Sequence, residues 1–155
     1  VGTERLQASG YFRAKLAQEE LIRASPVPYT IVRSTQFFPF VDGIIKSGTV
    51  RDEVHLSSAL VQPISADDVA DVLVDVAQGA PANCMIEIAG PEPIRLDRFA
   101  ELYPASKGEA RRIVADPGVL YFGTVLNDGS LTPGASPRLG VVRLEDWLRE
   151  LIPAD

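Results

Sequence analysis

The feature that most narrows the folds open to this chain is the order of two patterns between residues 10 and 34. "GYFRAKLAQEELIRA" carries apolar residues at helical spacing. Tyr11, Phe12, Ala14, Leu16, Ala17, Leu21 and Ile22 are expected on a broad buried face, with Arg13, Gln18, Glu19 and Arg23 mostly outward. Ser25-Pro26 ends the helix, because a residue before proline is pushed out of the helical region. "YTIVRS" follows at once, a β-branched run that reads as a buried strand over residues 29–34. Helix, tight turn and strand form the second half of a crossover unit. The strand is therefore expected to run parallel to its neighbours in an α/β sheet.

The rest of the chain continues this alternation. A short helix is expected over 39–46, with Pro39 in its first turn, and one or two short strands around a turn at Arg51-Asp52-Glu53. "SADDVADVLVDVAQG" reads as a helix capped by Ser65, with Asp67 and Asp68 at the positive end of its dipole and Gly79 at its end. "CMIEIA" reads as a strand over 84–89, "RLDRFAELYP" as a short helix closed by Pro104, and "ARRIVAD" as a further strand. The Gly- and Pro-rich run over 117–140 is expected to hold little regular structure, and "RLEDWLRELI" forms a last amphipathic helix anchored by Trp147.

A chain of 155 residues, 46% hydrophobic and 23% charged, is long enough for one real core and is globular in composition. Its net charge of −6, with no run of Lys or Arg to offset it, argues against a nucleic-acid partner. There is no apolar stretch of about 18 residues to span a membrane, and no signal-like segment at the start. Cys84 is the only cysteine, which fits a reducing, cytoplasmic setting; it is expected to be a small buried hydrophobe. The chain begins without Met and enters a helix without an opening strand, so Val1 is expected to be internal to a longer protein.

Tyr11 and Lys15 stand four apart, which puts them on one helix face. A phenol is a weak acid near neutral pH, and a neighbouring cation favours its phenolate. Such a pair can pass a proton to or from a carbonyl or alcohol. The plainer alternative is a Tyr packed on the sheet beside a Lys reaching to water. The same spacing recurs at Tyr103 and Lys107, but Pro104 directly follows that Tyr and is expected to spoil the shared face.

"GYFRAKLAQEELIRASPVPYTIVRSTQFFPF", followed by "VQPISADDVADVLVDVA" and "IEIAGPEPIRLDRFAEL", resembles the atypical short-chain dehydrogenase/reductases, in particular their NmrA-like, NAD(P)-binding branch. The resemblance runs from Gly10 to about Leu151. It implies a Rossmann-like α/β fold and a cytoplasmic NAD(P)-dependent oxidoreductase acting on a small carbonyl or alcohol. Tyr11 would be the proton donor and Lys15 its partner and ribose ligand. Ser34, Thr35, Gln36 and Phe37 would line the nicotinamide pocket. The family's Gly-x-x-Gly-x-x-Gly loop does not occur in this sequence, and its helper Ser would fall upstream of Val1. Ser9 and Thr3 are poor substitutes for that helper, since both lie in the approach to the helix. The chain thus reads as a C-terminal half. Residues 1–50 would end the dinucleotide-binding sheet and 51–155 would form the smaller substrate-binding part. The alternative is a non-catalytic NAD(P)-sensing regulator. Either way a homo-oligomer, or association with the N-terminal half, is expected, because the first helix and strand would otherwise stay uncovered.

Other residues point less clearly to chemistry. His55 lacks partners at metal-ligand spacing beyond Asp52 and Glu53 and reads as a surface or strand residue. Asp67, Asp68, Asp71 and Asp75 read as the start and outer face of a helix. "DPGVLYFG" and "DGSLTPG" are either loops over a substrate pocket or plain connectors.

Overall fold

The computed structural model describes residues 1–109 and 111–152. In chain order, its first half contains α1 (Gly10–Ala24), β1 (Thr30–Ser34), a 3₁₀ turn (Phe38–Phe40), α2 (Val41–Gly48), β2 (Thr49–Val50), β3 (Glu53–Leu56), β4 (Leu60–Val61) and α3 (Ala66–Gln78). The second half contains β5 (Cys84–Ala89), β6 (Ile94–Arg95), α4 (Leu96–Ser106), β7 (Arg112–Ala115), β8 (Arg138–Leu139) and α5 (Leu144–Glu150). The helix–turn–strand unit forms as its pattern predicts. β1 pairs in parallel with β5, Thr30 opposite Cys84 and Ser34 opposite Ile88. β5 pairs in parallel with β8, a short strand inside the Gly- and Pro-rich run that the sequence pattern does not announce. The order β1-β5-β8 leaves β1 on an edge.

A second small sheet, β2-β3-β7, and the β4-β6 pair stand beside α2, α4 and α5. The main core lies among these elements, around Phe38, Val41, Ile44, Val54, Phe99 and Leu131. Trp147 of α5 stacks on Phe38 at 5.2 Å, so the last helix is anchored as expected. A smaller cluster of Ile64, Val69 and Ile88 seats α3 on the main sheet, and the Ser65 hydroxyl caps α3 by accepting the Asp67 N–H at 3.1 Å. Among the described residues, no helix is long and apolar enough to cross a membrane.

Several side chains depart from the expected pattern. On α1 only Phe12 and Glu19 are buried, while Tyr11 and Leu21 are 58% and 75% exposed. A cleft, not a packed layer, separates α1 from the edge strand β1. Glu19 is buried because it meets Arg33, which β1 carries on the facing side. Asp68 is buried as well. Its carboxylate accepts the N–H groups of Val141 and Val142 and so ties down the segment after β8. Cys84 is exposed, since it is the first residue of β5, at the sheet's end.

Pro104 does not close α4 but lies within it. The helix runs two residues further, to Ser106, and is closed where Gly108 takes φ +72. There the Glu109 N–H donates to the Pro104 carbonyl at 2.9 Å and the Gly108 N–H to the Ala105 carbonyl at 3.1 Å. This is the paired closure that a C-terminal glycine permits. Proline removes one helical donor, and the burial of Leu96, Phe99, Ala100 and Pro104 offsets that loss.

Candidate functional site

A cleft of about 980 Å³ runs along α1 and β1 to the loop beyond the C-terminal end of β1. Tyr11, Lys15, Ser34, Thr35, Gln36 and Phe37 all line it. In open parallel sheets, the carboxyl ends of the strands are where ligands are held.

The helical wall is oriented by charge. Tyr11, Lys15 and Glu19 follow one another at four-residue steps on one face of α1. Arg33 grips Glu19 with a two-pronged contact, Nε to Oε1 at 2.8 Å and Nη2 to Oε2 at 2.7 Å. Its Nη1 reaches Glu4 at 2.6 Å. That buried pair fixes which way the face carrying Tyr11 turns. Lys15 and Tyr11 themselves are not in hydrogen-bond contact. The Lys15 ammonium donates to Gln18 at 3.4 Å and stands 5.9 Å from the centre of the Tyr11 ring.

The backbone of the loop after β1 is held by hydrogen bonds to neighbouring segments. The Thr35 N–H donates to the Ile88 carbonyl at 3.0 Å, the Ile64 N–H to the Gln36 carbonyl at 2.9 Å, and the Phe38 N–H to the Ile64 carbonyl at 2.9 Å. The buried Thr35 Oγ1 and Gln36 Oε1 have no hydrogen-bond partner. An unpaired buried polar group costs about 1–3 kcal/mol.

No protein-family model and no curated protein sequence matches this chain. Solved structures do resemble it. A dTDP-4-dehydrorhamnose reductase from Clostridium acetobutylicum superposes with a TM-score of 0.53 at 21% identity, over 91% of this chain and 48% of that one. A proposed epimerase from Burkholderia cenocepacia superposes with a TM-score of 0.51 at 16% identity, over 92% of this chain and 46% of the other. The fold is Rossmann-like. The chain spans about half the length of each of these structures.

Phe40, Tyr121 and Phe122 also line the cleft, so the "DPGVLYFG" loop borders it, as one of its two sequence readings expected. Tyr121 and Phe122 come from the "DPGVLYFG" loop, whose adjacent aromatics before a glycine were the available signal. Burial holds the Tyr121 phenol above its ordinary pKa, with neighbouring Gln36 opposing the shift. Tyr121 is thus a proton-bearing hydroxyl at working pH. The "DGSLTPG" loop does not line the cleft.

The remaining candidates lie elsewhere. Tyr103 and Lys107 do share a face despite Pro104, and the Lys107 ammonium donates to the Tyr103 hydroxyl at 2.6 Å. That contact raises the Lys107 pKa above its ordinary value. His55 stands 3.3 Å from Glu53 and 4.0 Å from Asp116 on β3. Among the described residues no group of three His, Cys, Asp or Glu side chains is placed to hold a metal ion.

Proposed function

We propose that this chain is part of an NAD(P)-dependent oxidoreductase of the short-chain dehydrogenase/reductase type, of the NmrA-like branch, acting on a small carbonyl or alcohol in the cytoplasm. The observation that carries the reading is the meeting, in one cleft beyond a parallel strand, of Tyr11 and Lys15 with the 34–37 loop. Tyr11 then donates the proton to a carbonyl oxygen, or takes it from an alcohol. Lys15, one turn along, supplies positive charge near that phenol and a donor for a ribose hydroxyl. The residues fit the nicotinamide-ribose end of the cofactor. The half-exposed Phe37 ring offers a face for the nicotinamide. Bound there, NAD(P)H would supply the hydride. A pyrophosphate needs backbone N–H groups at a glycine-rich helix start, which this sequence does not provide, so the chain alone should bind the nucleotide poorly.

A second reading, a non-catalytic NAD(P)-sensing protein, draws support from Lys15 resting on Gln18 and not on Tyr11. One experiment separates them. Calorimetry on the full-length protein with NADH and NADPH tests for binding, and steady-state oxidation with a panel of carbonyl compounds tests for turnover. Binding with turnover favours the enzyme, binding without it the sensor, and no binding removes both. The open edge of β1 and the exposed apolar residues of α1 also support a partner there, either a second copy or the strands of an N-terminal half. A compact monomer of the isolated chain in light scattering would remove that part.

A further inference from the structure

Residues 121–124 form a tight turn. The Tyr121 N–H donates to the Thr124 carbonyl at 2.8 Å, and the Thr124 N–H donates back to the Tyr121 carbonyl at 3.1 Å. Both central residues lie in the left-handed region, Phe122 at φ +47 and Gly123 at φ +86. Such turns favour Asn, Asp or Gly at the first of these places, and a bulky residue there is strained. Burial does not repay the strain, since Phe122 is 47% exposed. What the strained backbone achieves is placement. It holds the Phe122 ring nearly parallel to Phe40, 5.9 Å away at 14°, and 6.5 Å from the Tyr11 ring. Phe40 and Tyr11 are also well exposed, so rings from three separate segments line one cleft.

Resting on the assignment of Tyr11 above, we propose that the substrate carries its reacting carbonyl on a flat aromatic ring, and that Phe122, backed by Phe40, selects for that ring. Offset stacking on a flat ring uses the exposed aromatic faces, and a saturated ring cannot match it. With the ring held there, the carbonyl lies within the reach of the Tyr11 side of the cleft. In the reduction, the carbonyl carbon gains a hydride from NAD(P)H and the oxygen gains the Tyr11 proton. The C=O bond becomes C–OH, the nucleotide is oxidised by two electrons, and water returns a proton to Tyr11.

The test compares acetophenone with its saturated counterpart, cyclohexyl methyl ketone, on the full-length protein. Binding is followed by saturation-transfer NMR and turnover by NADPH and NADH oxidation. We expect acetophenone to bind about tenfold tighter, the scale of an aromatic stacking contact, and Phe122→Asn to erase the preference. Asn suits the left-handed turn, so this variant should also melt a few degrees higher than the parent. Phe122→Leu, which keeps apolar bulk without the ring face, should lose the preference as well. Equal binding of the two ketones, binding of neither, or a preference that survives both substitutions overturns the proposal. If acetophenone binds through Phe122 but no carbonyl is turned over, the ring selectivity stands and the oxidoreductase reading falls. If both ketones are reduced equally well, the reverse holds.

Discussion

The chain contains the same four-residue Tyr–Lys spacing twice, and the two copies behave in opposite ways. In α4, Tyr103 and Lys107 meet at 2.6 Å, the ammonium also lies 4.2 Å from the ring centre, and the ring stacks on Trp147 at 5.7 Å. In α1, Tyr11 and Lys15 do not touch, and Lys15 leans on Gln18. Tyr11 and Lys15 line the cleft beside β1. The tight pair is complete in itself: its donor and acceptor are used, and its ring is packed. The loose pair keeps capacity for a ligand. The two helices are held differently as well. α4 is seated by apolar burial. α1 hangs on Phe12 and on the buried contact between Glu19 and Arg33.

The strongest way to break this contrast is to remove one hydroxyl from each pair. In the full-length protein, Tyr11→Phe should lower turnover by about 10²- to 10⁴-fold, the usual contribution of a general acid or base, with NAD(P) affinity nearly unchanged. Tyr103→Phe should leave turnover alone. Equal losses from both would end the distinction. Next in size is the anchoring. Glu19→Ala leaves the buried Arg33 with Glu4 as its remaining carboxylate partner and two of its N–H donors unpaired, and should destabilise by roughly 1–3 kcal/mol in chemical denaturation. Glu101→Ala, which breaks an exposed pair with Arg98 on α4, should change stability by only about 0–1 kcal/mol.

The helix end that lets α4 carry its pair past Pro104 can be probed at Gly108. Gly108→Ala meets no neighbouring atom but keeps φ near +72, so it should cost about 1–2 kcal/mol from backbone strain alone. Trp147 fluorescence should report loosening around Tyr103. The smallest effect concerns acid. Arg95 beside Asp97 holds that carboxyl below the usual carboxylate range. The stabilisation is thus present above the ordinary carboxylate pKa of about 4 and is lost as pH falls through the depressed value. Denaturation midpoints of Asp97→Asn should accordingly fall below those of the parent at pH 7 and converge with them in strong acid. A constant gap at all pH values would show that Asp97 acts through shape and not charge.

Local patterns in the sequence determined a good deal. The helix over 10–24, the strand that follows it, the capped helix after Ser65 and the strand at 84–89 depend on residues close together in the chain, on spacing, caps and β-branching, so they are legible there. The grouping of Tyr11, Lys15 and residues 34–37 came from the family resemblance and not from local pattern, and one cleft holds all six. Only the tertiary structure decided the rest. Glu19 and Asp68 look like solvent-facing acids until Arg33 and the 141–142 amides arrive from distant segments to pair with them. Pro104 reads as a helix stop until burial on α4 and the turn at Gly108 outweigh its missing donor. Phe40 and Phe122 are 82 residues apart in the chain by their numbers and stack in one cleft. Sequence spacing reports which side chains share an element. Which elements face each other is settled by the burial and pairing of whole surfaces, and that is where the ring-lined wall of this cleft comes from.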